Sequence, residues 1–181
     1  FETGNVSPVS IMDIVNNEDN AIFYIVKELA GDTRQAGRAT AKSFNVRSRF
    51  VHFEFFRLQK DQEGLGRKGE LVGLEVNMRP SGGFSPACTT DVYKIWADMI
   101  AFDKTEMHPG ERQYCAFAGR RDGKRFVLSH EAVMEKYRQN IRMEDRLPEV
   151  LADAMGNQIY IAVFPTRHEM ENFFQDILKS E

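Results

Sequence analysis

Apolar and polar side chains alternate along two neighbouring stretches, Val51-His52-Phe53-Glu54-Phe55-Phe56-Arg57-Leu58 and Val72-Gly73-Leu74-Glu75-Val76-Asn77-Met78-Arg79-Pro80. A period of two is the mark of a strand whose side chains point to opposite faces in turn. The pattern predicts a hairpin in which Glu75, Asn77 and Arg79 share one face and Leu74, Val76 and Met78 the other. On the first strand His52 and Glu54 share a face. In the simple antiparallel register, the carboxylates of Glu54 and Glu75 stand side by side. The connection from Gln59 to Glu70 is rich in charge and holds Gly64, Gly66 and Gly69, which predicts an exposed loop.

Around this hairpin the pattern changes to helical spacing and to further strand-like runs. Val9 to Val15 and Ala21 to Val26 flank the turn formers Asn16-Asn17-Glu18-Asp19-Asn20, which predicts a first hairpin. Thr33 to Phe44 reads as a helix capped by Asp32 or Thr33. Asp91 to Phe102 carries Val92, Ile95, Trp96, Met99 and Ile100 at helical spacing, a stripe most simply explained as core. Further on, Gln113 to Arg120 and Arg125 to Ser129 surround the turn signal Arg121-Asp122-Gly123-Lys124 and predict a second hairpin. His130 to Asn140 reads as a helix, Leu151 to Phe164 as another pair of strands, and Glu169 to Lys179 as a closing amphipathic helix. Strand pairs packed on helices, without regular β-α-β alternation, indicate an α+β architecture.

Composition narrows the picture. With 181 residues, 42% of them hydrophobic, the chain has enough material for a sizeable core in one large or two small units. A formal charge of −3 supplies no overall basic field, so no nucleic-acid partner is expected and any anion site must be local. No apolar run approaches bilayer length and nothing near the start resembles a signal peptide, so a cytoplasmic protein with no membrane partner is expected. Cys88 and Cys115 lack metal-ligand spacing, and reduced thiols are expected at both. The chain begins at Phe1 rather than Met, which suggests a piece of a longer polypeptide.

The acidic hairpin is the candidate for chemistry. Mg²⁺ prefers oxygen ligands and is often held by one or two carboxylates together with phosphate oxygens. Glu54, Glu75 and the side-chain oxygen of Asn77 would supply such ligands, and the planar guanidinium of Arg79 suits a phosphoryl oxygen or a carboxylate. The plain alternative is a solvated polar strand face. After Arg79, the small residues Ser81, Gly82 and Gly83 would let backbone approach a ligand, although Gly-Gly is also a common turn. His52 beside Glu54 reads as a structural histidine before a base. Arg47 and Arg49 read as phosphate-steering residues or, at least as readily, as loop ion pairs, Arg120 and Arg121 as solvated, and Asp13 as a residue whose face depends on register.

The order of strand hairpin, helix, acidic strand, loop, Glu-x-Asn-x-Arg strand and helix resembles the C-terminal lobe of the ATP-grasp ligases. Within that superfamily the similarity to biotin carboxylase is the most extended. Phe53-Glu54-Phe55 precedes Glu75-Val76-Asn77-Met78-Arg79, Asp91-Val92 opens a helix, and Asp153-Ala154-Met155-Gly156-Asn157 is similar to an Asp-Ser-Met segment of the carboxylase C-terminal domain. The resemblance implies an ATP-grasp C-terminal lobe over residues 1–105, with an antiparallel sheet flanked by helices, and a small α+β subdomain over 106–181. It implies ATP and Mg²⁺ (or Mn²⁺) as cofactors, with Glu54, Glu75 and Asn77 at the metal and phosphates and Arg79 at the phosphates or an acyl-phosphate intermediate. The partners it implies are ATP, a small carboxylate and an N-terminal ATP-grasp half with its lid, which has no counterpart here; a homodimer stays open. Where the carboxylases carry Val-Glu-His, this chain reads Gly82-Gly83-Phe84, and the Arg-Pro-x-Gly-Gly continuation is closer to the amino-acid and peptide ligases. A carboxylate-amine (or thiol) ligase is therefore expected. A non-catalytic binding or oligomerisation module, or part of a biotin carboxylase-like or carbamoyl-phosphate synthase-like enzyme, are the alternatives.

Overall fold

The computed structural model describes residues 4–6, 22–27, 29–47, 49–80, 91–108, 110–111 and 113–181. In chain order the elements are β1 (Gly4–Val6), β2 (Ile22–Val26), α1 (Gly31–Ser43), β3 (His52–Arg57), β4 (Leu71–Asn77), α2 (Val92–Phe102), β5 (Tyr114–Arg120), α3 (His130–Lys136), β6 (Ile141–Arg146), α4 (Glu149–Met155), β7 (Gln158–Phe164) and α5 (Arg167–Leu178). The architecture is α+β, with every strand pair antiparallel. By internal contacts the chain forms two compact units. One gathers β1, β2 and everything from β5 onward, and the other holds α1, β3, β4 and α2.

The first unit is a five-stranded sheet in the order β1-β2-β5-β7-β6. Its centre is the pairing of β5 with β7, in which Ala116 faces Ala162, Ala118 faces Tyr160 and Phe117 faces Ile161. Alternation separates these residues onto two faces. On one face Ala116, Ala118, Tyr160, Ala162 and Phe164 pack with Val133, Tyr137, Met170, Phe173 and Ile177. On the other lie Cys115, Phe117, Ile159, Ile161 and Val163, packed with Phe23, Ile25, Leu147 and Met155. The small alanines leave room for the rings of Phe164 and Phe173, 5.2 Å apart, and for Tyr137, which meets Phe173 edge-on at 4.9 Å. Burying each such side chain stabilises by roughly 1.5–3 kcal/mol.

Helix α5 covers the first face because Met170, Phe173 and Ile177 recur at helical spacing, and all three are buried. Its start is fixed by a reciprocal box in which Thr166 accepts from the Glu169 amide and the Glu169 side chain accepts from that of Thr166. Helix α3 is capped by Ser129, which accepts from the Ala132 amide. Arg120 at the end of β5 is only 5% exposed. Its Nε donates to Ile177 O at 2.7 Å and its Nη1 to Leu128 O at 2.9 Å, while its plane lies 4.5 Å over the Phe126 ring. The guanidinium thus ties β5 to the carbonyl end of α5, where a positive charge is favoured.

The tightest approach in this unit lies between β5 and the turn joining α4 to β7. A Cβ on Gly119 would sit 2.8 Å from Met155 C, and one on Gly156 would sit 2.7 Å from Gly119 C. Gly156 also has φ +89, a left-handed backbone that side chains disfavour. The contact is closed by Asn157, whose amide donates to Arg120 O at 2.8 Å and whose side chain accepts from the Asp122 amide at 2.9 Å.

The second unit contains the β3-β4 hairpin with α1 and α2. The connection between the strands is an exposed loop in which Gly64, Gly66 and Gly69 all adopt positive φ, as its composition predicts. Arg57 at the end of β3 reaches α1, donating from Nη1 to Asp32 Oδ2 at 2.7 Å and from Nη2 to Asp32 Oδ1 at 3.0 Å. Phe53 packs 3.8 Å from the Cβ position of Gly37. Helix α2 is capped by Asp91, which accepts from the Lys94 amide, and buries Ile95.

Several expectations give way to this arrangement. The division differs from residues 1–105 and 106–181, because β2 pairs with β5 and so carries the N-terminal strands into the later sheet. The partner of β2 in the first hairpin is Gly4–Val6; Val9 to Val15 lie outside the described residues. Helix α1 starts after Ala30 without a side-chain cap, since Asp32 is turned to its own neighbour and to Arg57. Residues 125–129 form no strand: Phe126 makes a single bridge to Ser180, and β5 has β2 and β7 as its neighbours. Helix α3 ends at Lys136, and residues 149–155 are helix α4 instead of a strand. Of the stripe on α2, Ile100 is exposed. Arg120 is buried, and Arg121 donates to Ala152 O and Asp153 O at 3.0 and 2.6 Å, so neither is simply solvated. Replacing Gly119 or Gly156 by alanine should cost about 3 kcal/mol through overpacking, read as a drop in the denaturant midpoint. Unchanged midpoints in both variants would contradict the close crossing.

Candidate functional site

The hairpin aligns Glu54 directly with Glu75 and His52 directly with Asn77. Directly opposed residues of an antiparallel pair project to the same side, so the four side chains share one face. The register then shifts: Glu54 faces Glu75, but the next residue, Phe55, faces Gly73, which leaves Leu74 as the extra residue of a β-bulge. Sequence alternation anticipates Glu54, Glu75, Asn77 and His52 on one face and carries no mark of the bulge. The other expected face of β4 is solvent-exposed, with Leu74 46%, Val76 37% and Met78 54% accessible.

The two carboxylates are an electrostatic liability as they stand. Like charges placed directly opposite on adjacent strands are destabilising. Among the described residues the group nearest to ion-pairing with either is His52, whose Nδ1 lies 3.6 Å from Glu54 Oε1. The nearby arginines are committed elsewhere, Arg57 to Asp32 and Arg49 to Asp103 at 2.8 Å. Arg47 donates to Asn45 Oδ1 at 3.1 Å. Two buried polar atoms beside the pair, His52 Nδ1 and Asn77 Nδ2, have no hydrogen-bond partner. Buried donors and acceptors normally find partners, and these two are exceptions, His52 Nδ1 by a narrow margin at 3.6 Å from Glu54 Oε1.

Arg79 lies beyond the end of β4, exposed, with Nη1 donating to Pro80 O at 3.1 Å. It therefore does not continue the strand face that holds Glu75 and Asn77. Ser81, Gly82, Gly83, Cys88 and Asp13 lie outside the described residues. Among the described residues no three His, Cys, Asp or Glu side chains converge as a metal cluster. What the hairpin offers is a pair of carboxylates with an amide beside them.

A second polar feature, in the five-stranded unit, has no signal in the sequence. Lys136, Tyr137, Asn140, Asn172 and Asp176 line an open cleft of about 350 Å³. Asp176 accepts from the Tyr137 hydroxyl and from Lys136 Nζ, the latter at 2.6 Å. Lys136 first and Tyr137 second hold the Asp176 carboxyl below its ordinary range, while burial and then the Asp176 bond push the Tyr137 phenol up. These groups satisfy one another across 39 residues of sequence, beyond the reach of local pattern.

No helix among the described residues is long and apolar enough to cross a membrane. Compared with protein-family models, with curated proteins and with solved structures, the chain finds no match.

Two outcomes follow from the hairpin's electrostatics. Glu75→Gln removes one of two opposed charges and should raise the thermal midpoint, by up to about 1 kcal/mol of stability; a clear loss would mean that the pair is not repulsive. The Asp32 carboxyl is held at about 2, below 3.8, chiefly by its hydrogen bonds from Arg57. A depressed carboxyl contributes stability above its unfolded value of 3.8 and loses it as the pH falls toward about 2. Carboxyl NMR titration should place the Asp32 midpoint near 2 and return it toward 3.8 in Arg57→Met.

Proposed function

We propose that this chain supplies the metal-phosphate side of an ATP-grasp ligase centre that joins a small carboxylate to an amine or thiol. The observation that carries the reading is the direct alignment of Glu54 with Glu75 on a face that also holds Asn77. Among the described residues no lysine or arginine ion-pairs with either of these opposed carboxylates, an arrangement that costs stability and that a divalent cation would offset. The residues fit such an ion: Mg²⁺ characteristically keeps waters and takes one or two carboxylates plus substrate phosphates, so a set of three protein ligands is not required. Glu54 and Glu75 would hold it, with the Asn77 side-chain oxygen as a third donor. When bound, the ion supplies neutralisation of charge on the transferring phosphoryl group.

The protein's own contributions follow from the strand geometry. Glu54 and Glu75 stand on neighbouring strands with backbone hydrogen bonds between them, which limits how far the two carboxylates can drift apart. Arg79, permanently charged and exposed just past β4, would meet phosphate oxygens or the acyl phosphate, where a fork of donors matches the acceptor geometry. In the proposed reaction a carboxylate oxygen takes the terminal phosphoryl group of ATP and ADP leaves. The amine nitrogen then attacks the acyl carbon, phosphate departs and the nitrogen gives up a proton. The motif order Phe53-Glu54-Phe55, Glu75-x-Asn77-x-Arg79 and Asp91-Val92 supports the superfamily assignment.

The exposed apolar side chains Leu74, Val76 and Met78 favour a second reading, a non-catalytic module that uses this hairpin as an interface. Calorimetric titration of ATP separates the two. Binding should require Mg²⁺ and be lost in Glu75→Gln and weakened in Arg79→Met. Equal affinity in wild type and Glu75→Gln would sink the ligase assignment and leave the interface.

A further inference from the structure

We infer that the turn Arg121-Asp122-Gly123-Lys124 is a self-modification site, where the Gly123 amide closes on the Asp122 side chain to give a succinimide and then isoaspartate, and that Arg146 restrains this reaction. Asp122-Gly123 is the one Asp-Gly step in the sequence, and no Asn-Gly step occurs. Both residues are exposed, so water reaches them. Gly123 carries no Cβ to hinder its nitrogen, and it stands at φ +87 in a turn closed by the Lys124 amide, which donates to Arg121 O at 3.4 Å. Against this open approach stands a grip from another strand. Arg146 at the end of β6 donates from Nη1 to Asp122 Oδ1 at 2.9 Å and from Nη2 to Asp122 Oδ2 at 2.5 Å.

In the ring closure the Gly123 nitrogen bonds to Asp122 Cγ, and one oxygen of the protonated carboxyl leaves as water, taking the amide proton with it. Water then opens the ring at either carbonyl, restoring aspartate or leaving the chain to run through Cβ and Cγ. Arg146 opposes the first step twice. Its hydrogen bonds hold the Asp122 carboxyl below the ordinary range, and an ionised carboxylate must gain a proton before its oxygen can leave. Both oxygens are also turned to the guanidinium, so bringing Cγ onto the Gly123 nitrogen breaks the paired contact. The product has a main chain one atom longer and a carboxyl one carbon short of its former reach. That change falls on a turn tied to its surroundings, by the Asp122 amide to Asn157 Oδ1 and by Arg121 to Ala152 O and Asp153 O.

The test ages the full chain at one fixed, mildly acidic pH, folded and in denaturant, and follows the chymotryptic peptide Ala118–Phe126 by mass spectrometry. Electron-transfer fragmentation distinguishes isoaspartate from aspartate at equal mass, and the succinimide is lighter by one water. Folded Arg146→Met should accumulate isoaspartate on the order of threefold faster than folded wild type, the scale of an exposed ion pair, with Arg146→Lys between them. In denaturant the three chains should age at one common rate, faster than the folded wild type. Thermal midpoints establish that the variants are folded. If Arg146→Met does not fold, wild type at low and high salt replaces it: screening the pair should speed ageing of the folded chain relative to the denatured one. No isoaspartate in the folded variant, equal folded rates in wild type and Arg146→Met, no effect of salt in the replacement, or a difference that persists in denaturant each overturns the restraint.

Discussion

The pairing of β5 with β7 governs the larger unit. Both strands are buried on both faces, so each side chain must be accommodated by a layer above or below the sheet. Where β5 presents Ala116 and Ala118, the aromatic groups of β7 and α5 fill the space, and a larger residue on β5 would have to displace rings already in contact. The ladder ends at Gly119 and Arg120, where two further demands meet. Gly119 must let the α4–β7 turn pass at backbone distance, and Arg120 must leave the strand to reach carbonyl oxygens at the far end of α5 and beyond. One strand end therefore sets the position of a turn, a helix terminus and a loop together.

A different constraint rules the hairpin. Hydrogen-bonded register decides which side chains face each other, and here it brings two negative charges into apposition. The bulge at Leu74 separates the strand segment near the loop from the segment that carries the carboxylates, and bulges increase local twist. Neighbouring arginines pair with other carboxylates, Asp32 and Asp103, so among the described residues no lysine or arginine ion-pairs with Glu54 or Glu75.

Much of this was readable in the order of residues. Alternation in Val51 to Arg57 and Val72 to Asn77 gave both strands of the hairpin and the shared face of Glu54 and Glu75, because local period maps directly onto side-chain direction. Helical spacing likewise located α2 and α5 within a residue or two at each end. What pattern could not supply was partnership. The turn signal at Arg121 to Lys124 is real, yet the partners of β5 come from residues 22–26 and 158–164, and short-range chemistry has no means of preferring them. By local pattern the segment 149–155 joins the strand that follows it, but its polar residues Glu149 and Asp153 stand at helical spacing, and Pro148 before it and Gly156 after it match a short helix. Arg120 looked solvated because it adjoins a turn; its burial depends on Phe126, Leu128 and Ile177, none of which is local in the sense that periodicity measures.

Cys115 sits in the middle of this sheet with no accessible surface, as a reduced thiol. A reagent that alkylates thiols can reach it only when the strands part, so its labelling rate reports how often the centre of the sheet opens. The chain thus carries a natural clock for opening events at its core, readable by mass without any introduced probe.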